Sequence, residues 1–307
     1  MSTGGQRLKE ILQGQQCVPA ASIFDPLSAR IAEMSGWRVG KLSGSAFKAA
    51  ELCLPDGAPL ASNSDLVDVC RRVCRVVDMS IMIDADDGGE TPLAVRRLVR
   101  ELEAVGVGAV EIEDNLVPRH IGAAADRHAQ LLPVGQQVVK LDAALNARRD
   151  TSTLIIARTS ALTCEPLDDA LARLQAYSAA GVDALMLPGV APKPRALIEA
   201  VHGATGMPLC VVGLTQDMMQ DREFLAKNLV RIRYFGQPVF GMAVQALYYG
   251  FSHLLNGGDP EDLEGLRASP QILSLITRSD ELAAWELSYR NRDALNGPET
   301  PDEGRTG

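Results

Sequence analysis

Short apolar runs and amphipathic stretches alternate along the whole chain. The runs at 18–24, 39–42, 80–83, 109–112, 154–157, 184–187, 209–212 and 230–234 are rich in Val, Ile or Leu. Runs of that length and continuity predict strands buried on both faces, as parallel strands are. Between them lie helical patterns at 26–35, from Ser64 onward, and at 93–105, 138–148, 167–179, 194–202, 221–228 and 238–255. Thr91-Pro92 opens one of these with an N-cap and a proline at the first helical position. Eight strands alternating with eight helices predict a (β/α)8 TIM-type barrel more readily than a doubly wound sheet. No Gly-x-Gly-x-x-Gly follows the first run, so a dinucleotide fold has no support. Helical patterning continues over 269–290. One barrel domain with a helical extension is therefore expected over 1–295, and a disordered tail over 296–307, which is rich in Pro, Gly and Glu.

Active sites of such barrels lie at the C-terminal strand ends, so polar residues directly after the apolar runs should collect in one place. Five consecutive runs end in them: Asp25, Ser43-Gly44-Ser45, Asp84-Ala85-Asp86-Asp87, Glu113-Asp114-Asn115 and Arg158-Thr159-Ser160. Strand side chains alternate with period two, which puts Asp84 and Asp86 on one face. Two such carboxylates suit Mg²⁺, which keeps several waters and takes one or two protein carboxylates. The same segment also reads as an acidic turn with Asp87 and Glu90 in solvent. Glu113 adds a third negative oxygen donor, and Arg158 a planar fork for a carboxylate or phosphate. Ser43-Gly44-Ser45 offers N–H groups and hydroxyls to a substrate oxygen. Together these describe a site for a small di-acid or α-keto acid. A metal on the keto and carboxylate oxygens would stabilise an enolate and make bonds to the adjacent carbon breakable. Arg158 could instead only neutralise the acidic cluster. Lys41, also at a strand end, raises a Schiff-base aldolase reading, for which the metal carboxylates would be superfluous.

Composition narrows the class. A net charge of −9 argues against nucleic acid, which proteins grip with Lys and Arg. No apolar run is long enough to span a membrane, and the first residues contain no apolar signal core, so a cytoplasmic enzyme is expected. An apolar content of 46% is ample for a core. Cys70 and Cys74 are four apart without a nearby histidine, and free thiols are expected for all six cysteines. The four histidines show no metal-binding spacing.

The pieces Ser22-Ile-Phe-Asp-Pro-Leu-Ser-Ala-Arg-Ile, Leu42-Ser-Gly-Ser-Ala, Pro55-Asp56, Asp84-Ala-Asp86, Ile112-Glu113-Asp114 and Ile156-Ala157-Arg158-Thr159 occur in order from residue 18 onward. In this combination the chain resembles the isocitrate lyase/phosphoenolpyruvate mutase superfamily. The resemblance implies a barrel dependent on Mg²⁺, or Mn²⁺ in its place. It also implies a homo-oligomer, dimer or tetramer, whose eighth helix is often exchanged between subunits. It assigns Asp84 to the metal, directly or through water, and Asp56, Asp86 and Glu113 to the metal's waters. Ser45, with Ser43 and Gly44, would bind substrate oxygens, and Arg158 a carboxylate.

Lyases of the family carry Lys-Lys-Cys-Gly-His in the gating loop. Here that loop reads Pro118-Arg119-His120-Ile121-Gly122, without the cysteine, which counts against isocitrate or methylisocitrate cleavage. Ile121 stands where mutases and phosphonopyruvate hydrolases have asparagine, which counts against phosphonate chemistry. The whole chain is most similar to the oxaloacetate decarboxylase branch. Three of that branch's features are altered. Gln237 stands in place of its histidine and becomes a substrate-binding candidate. The tyrosine after the seventh strand is missing from Val212-Gly213-Leu214-Thr215. The segment Asp87-Gly88-Gly89-Glu90 replaces the usual turn. A general acid must still protonate the enolate, and His120 is the histidine placed for it. The expected function is a Mg²⁺-dependent carbon–carbon lyase, converting oxaloacetate to pyruvate and CO₂, with Arg158, Ser45 and His120 as catalytic residues. The alternatives are cleavage or condensation of a related 2-hydroxy or 2-keto acid, and a non-catalytic binding or assembly relative.

Overall fold

Nine parallel strands make one sheet whose two ends belong to the same stretch of chain. The computed structural model describes residues 3–56, 60–116, 130–190 and 192–295, with side chains as far as 290. The strands are β1 Val18–Pro19, β2 Ala21–Ile23, β3 Val39–Leu42, β4 Ser80–Asp84, β5 Ala109–Glu113, β6 Leu154–Arg158, β7 Ala184–Leu187, β8 Leu209–Val212 and β9 Val230–Tyr234. Their order is β1-β9-β8-β7-β6-β5-β4-β3-β2. The run expected as one strand over 18–24 is thus divided at Ala20. Its first part pairs with β9 and its second with β3, and this closes the barrel.

The helices are α1 Gly4–Gln13, α2 Pro26–Met34, α3 Gly44–Leu52, α4 Asn63–Cys74, α5 Pro92–Ala104, α6 Val134–Leu145, α7 Ala161–Cys164, α8 Leu167–Ala179, α9 Pro194–Thr205, α10 Gln216–Gln220, α11 Arg222–Lys227, α12 Pro238–Leu255, α13 Pro270–Thr277 and α14 Ser279–Leu295. Contacts divide the chain into two units, Met1–Tyr248 and Tyr249–Gly307. The second contains α13 and α14, so the helix expected over 269–290 is broken. Arg278 adopts a left-handed φ of 55° there and ends α13. Among the described residues no helix is long and apolar enough to cross a membrane. The tail at 296–307 lies outside the described residues.

Strand parity sorts the first unit into two cores. Ile81, Ile83, Val110, Ile112, Ile155, Ala157, Leu185 and Leu187 point outward and pack under the helices. α5 answers with Val95, Leu98, Val99 and Leu102, buried at helical spacing. Val39, Met82, Ala109, Ile156, Ala184, Met186, Cys210 and Ile232 alternate with these and fill the barrel interior. By the same parity Lys41, Asp84, Glu111, Arg158 and Tyr234 enter the barrel one step nearer its C-terminal mouth, and Glu113 two steps. β4, β5 and β6 each run one residue beyond the apolar pattern. Asp84, Glu113 and Arg158 are therefore the last strand residues rather than loop residues, each fixed by a rigid ladder.

α1, which the apolar pattern did not predict, packs Leu8, Ile11 and Leu12 into the interior core and so closes the other end of the barrel. Thr3 caps it, accepting from Gln6 N–H at 3.2 Å while the Gln6 side chain accepts from Thr3 N–H at 2.9 Å. The helix fits because two glycines let backbone meet backbone. A Cβ on Gly5 would stand 2.2 Å from the Ser152 carbonyl oxygen, and one on Gly108 2.9 Å from the Gly4 carbonyl carbon. Leu8→Ala should cost about 2–5 kcal/mol in denaturant unfolding. Gly5→Ala should lower stability, whereas Gly203→Ala in α9, where a Cβ meets open space, should raise it by up to about 1 kcal/mol.

Candidate active site

A cavity of about 170 Å³ opens at the C-terminal strand ends, lined by Ser22, Lys41, Ser43, Ser45, Asp56, Asp84, Asp86, Arg158, Met186, Pro188, Val212, Tyr234, Gly236 and Gln237. The structure thus gathers Ser43, Ser45, Asp56, Asp84, Asp86, Arg158 and Gln237 from the residues singled out in the sequence. Gly44 lies against the same carboxylates, and Glu113 stands beside Arg158. His120 lies outside the described residues. Neither His202 nor His253, the two described histidines, lines the cavity. Asp25 is occupied elsewhere, because its carboxylate accepts from Ser28 N–H at 2.6 Å and caps α2.

Arg158 is the electrostatic centre. Its Nη1 donates to Asp84, and its Nε stands 3.1 Å from Glu113 Oε2. Burial alone would raise the Asp84 carboxyl, but the charges of Arg158 and Lys41, with the hydrogen bond from Arg158, hold it far below the usual carboxylate range. The guanidinium, penalised by burial, is held charged by Asp84 and Glu111.

Asp84 and Asp86 converge, though not through strand alternation. The strand ends at Asp84, and Asp86 sits in a left-handed turn with φ 48°. Its N–H points back to Asp84 Oδ1 at 3.4 Å, and Lys48 Nζ reaches its carboxylate at 2.5 Å. Asp87 turns away instead: Lys140 Nζ is 3.2 Å from its carboxylate, so Asp87 is ion-paired rather than solvated. Gly89 N–H donates to Asp87 Oδ1 at 3.0 Å and Asn63 Nδ2 to the Gly88 carbonyl at 3.2 Å, which secures the turn.

Gln237 joins the two serines from across the chain. Its Nε2 donates to Ser43 Oγ and to Ser45 Oγ, each at 2.5 Å. Ser43 is the N-cap of α3, yet its side chain makes no capping hydrogen bond. The first N–H groups of α3, with the positive end of its dipole, are therefore left uncapped beside the cavity, where they suit an anion. Neither Gln237's link to the serines nor Lys48's to Asp86 was legible in the sequence; Lys48 lies on α3, a helix the apolar pattern did not predict.

Asp114 points outward, away from the cavity. Thr159 Oγ1 at 2.8 Å, Tyr177 OH at 2.7 Å and Arg173 Nη1 at 3.2 Å all donate to its Oδ2. Burial still pushes this carboxyl up. The network ties the ends of β5 and β6 to α8 and so supports Glu113 and Arg158 from behind.

Among the described residues, no three His, Cys, Asp or Glu side chains are grouped as a ready-made metal cage. Asp84 and Glu113 are turned to Arg158 and Asp86 to Lys48, since clustered carboxylates need cations. The donor set is nonetheless hard oxygen throughout, and Mg²⁺ with its water shell needs only one or two of these groups. Gly44 keeps the place open: a Cβ there would lie 3.2 Å from Asp86 Oδ1 and 3.5 Å from Asp84 Cγ. The residues fit a hydrated divalent cation.

Known proteins share this architecture. The family model for phosphoenolpyruvate phosphomutase matches residues 8–255. An oxaloacetate decarboxylase of Rhodopseudomonas palustris (strain BisA53) is 39% identical over 273 residues, covering 89% of this chain and 92% of its own length. The crystal structure of phosphoenolpyruvate phosphomutase from Streptomyces platensis subsp. rosaceus superposes with a TM-score of 0.81 at 26% identity, covering 94% of this chain and 99% of that one. A phosphonopyruvate hydrolase complexed with oxalate and Mg²⁺ superposes at 0.78, with 26% identity and the same coverage.

Arg158→Leu should destabilise the protein by about 3–5 kcal/mol, because it removes the cation that faces two buried carboxylates, Asp84 and Glu113. The Asp84 carboxyl titrates lower folded than unfolded. Its contribution to stability is therefore complete above about pH 4 and is lost as pH falls through the folded value. Without Arg158 that depression weakens, and acid unfolding followed by circular dichroism should begin at a higher pH than in wild type.

Proposed function

The chain belongs to the phosphoenolpyruvate mutase/isocitrate lyase superfamily and is a carbon–carbon lyase, and from that premise we propose that it decarboxylates oxaloacetate to pyruvate in a Mg²⁺-dependent reaction. The observation carrying this reading is the two-sided cavity. One side presents Arg158, Asp84, the two serines with Gln237, and the start of α3. The other presents Met186, Pro188 and Val212, from the neighbouring strands β7 and β8 and the residue after β7. The polar side suits the α-keto carboxylate. The apolar side chains donate no hydrogen bond to the second carboxylate, which suits a group that leaves as neutral CO₂.

Asp84 would hold the metal, with Asp56, Asp86 and Glu113 holding its waters. When bound, the ion supplies Lewis acidity to the keto oxygen. The α3 N–H groups and the Ser43 and Ser45 hydroxyls bind the retained carboxylate. Arg158, braced by Glu113, orients the substrate so that the breaking bond lies across the carbonyl plane. Gln237 fixes both hydroxyls. His120, the general acid expected from the sequence, follows β5 in the chain and lies outside the described residues. The unpaired cysteines fit the reducing cytoplasm, and exposed Ile272, Leu273, Leu275, Trp285 and Leu287 on α13 and α14 fit a subunit contact in a homo-oligomer.

Purified protein with Mg²⁺ should convert oxaloacetate to pyruvate, and EDTA should stop it; no metal-dependent turnover would overturn the reading. Asp84→Ala should abolish turnover and the thermal stabilisation by Mg²⁺ together. Glu113→Gln should lower activity by about 10- to 100-fold. A cleavage product other than CO₂ from a related 2-hydroxy acid would move the reaction to carbon–carbon cleavage on the same platform.

A further inference from the structure

Decarboxylation, as proposed above, leaves an electron pair on the carbon that lost CO₂, and a C–H bond must form there to give pyruvate. The donor must line the cavity, carry a proton at neutral pH and be able to release it. Among the described lining residues, Arg158 does not release its protons and the ionised carboxylates only accept. Ser22, Ser43 and Ser45 offer only neutral hydroxyls, whose loss of a proton would leave an alkoxide, and the last two are tied to Gln237. Tyr234 OH donates to Glu111 Oε1 at 3.0 Å, and burial with the Glu111 charge raises its phenol far above the usual range.

Lys41 lines the cavity and bears transferable N–H protons. It enters the barrel from β3 and is 6% exposed. Its Nζ lies 2.5 Å from Glu111 Oε2 and 4.5 Å from the centre of the Tyr234 ring. Glu111 is fully buried and engaged through both oxygens, one by Tyr234 and one by Lys41. The carboxylate is thereby fixed, and it holds the ammonium in one place. An ammonium has three N–H donors, and Glu111 takes one. Packing alone does not call for such a pair here. The interior beneath is Val39, Met82, Ile156 and Ile232, and an ion pair placed there costs desolvation that apolar side chains would not. A buried charge pair in a cleft, where packing alone would favour apolar residues, marks a functional group.

We propose that Lys41 is the general acid that protonates the enolate carbon, with Glu111 and Tyr234 as positioning residues; the proposal rests on the decarboxylase reading. The bond from the β-carbon to the carboxylate breaks and CO₂ leaves without its electron pair. That pair forms the enolate, whose carbon then takes a proton from the Lys41 ammonium. The neutral amine left behind regains a proton from water, so no oxidant or reductant is required.

The test is the stereochemistry of the methyl group. Oxaloacetate stereospecifically deuterated at its methylene carbon is turned over with Mg²⁺ in tritiated water, and the chirality of the pyruvate methyl is measured. Lactate dehydrogenase-coupled pyruvate formation is compared with direct CO₂ release. Wild type should give a chiral methyl, with pyruvate appearing as fast as CO₂. Lys41→Arg keeps a cation on Glu111 and so preserves the fold, but it has no proton to release. It should free enolpyruvate, so that pyruvate lags CO₂ and the methyl is racemic, with ketonisation on the enzyme slowed by about 10²- to 10⁴-fold. Lys41→Gln should do the same. A purely structural lysine would change the rate but leave the methyl chiral. A racemic methyl from wild type, or a chiral methyl without a lag from Lys41→Arg, overturns the assignment while the decarboxylase reading stands. If wild type releases no CO₂ from oxaloacetate, that reading falls and the proposal falls with it.

Discussion

The buried charges at the mouth of this barrel stand in opposed pairs. Arg158 answers Asp84 and Glu113, Lys48 answers Asp86, and Lys41 answers Glu111. In a low-dielectric interior an unopposed charge would cost several kcal/mol, more than a marginally stable fold spares. This constraint orders the rest of the mouth. Strand ladders fix the bases of Asp84, Glu113 and Arg158. The Asp114–Arg173–Tyr177 network fixes two of those strand ends from outside. α1 seals the opposite face, so the polar groups meet water at one end of the barrel only.

The same pairing gives the site its chemical character. Arg158 cannot drift, because its partners stand on two neighbouring strands; it offers a fixed fork rather than a mobile charge. The serines are held by an amide from beyond β9, which leaves the start of α3 without a side-chain cap. The apolar wall from β7 and β8 gives the cavity two chemically different halves. A di-acid that keeps one carboxylate and loses the other fits that asymmetry.

Much of this was legible along the chain. Mostly apolar runs marked the strand segments, since strands buried on both faces carry few polar positions; Lys41 and Glu111 are the interruptions that face the barrel interior. The polar residues following them pointed to Asp84, Glu113, Arg158 and Ser43–Ser45 for the same reason. Thr91-Pro92 marked the start of α5. Other features were invisible. α1 is short and its buried residues match an ordinary amphipathic pattern; only the closeness of Gly5 to Ser152 shows that it plugs a barrel. Asp25 read as a site residue because it follows a strand, but a cap and a ligand look alike in sequence. Asp87, in solvent on the acidic-turn reading, is instead paired with Lys140, 53 positions away.

Local pattern was enough to specify the barrel and its acidic, arginine-bearing rim, because period-two and period-3.6 burial is written into neighbouring residues and repeats at every element. Which charges face one another depended on closure of the sheet in three dimensions. Closure puts Lys41 beside Glu111 and Tyr234, and Gln237 beside Ser43 and Ser45. Those neighbours are separated by 70 to 194 residues, and ion pairing and hydrogen bonding act over a few ångströms of space rather than along the chain.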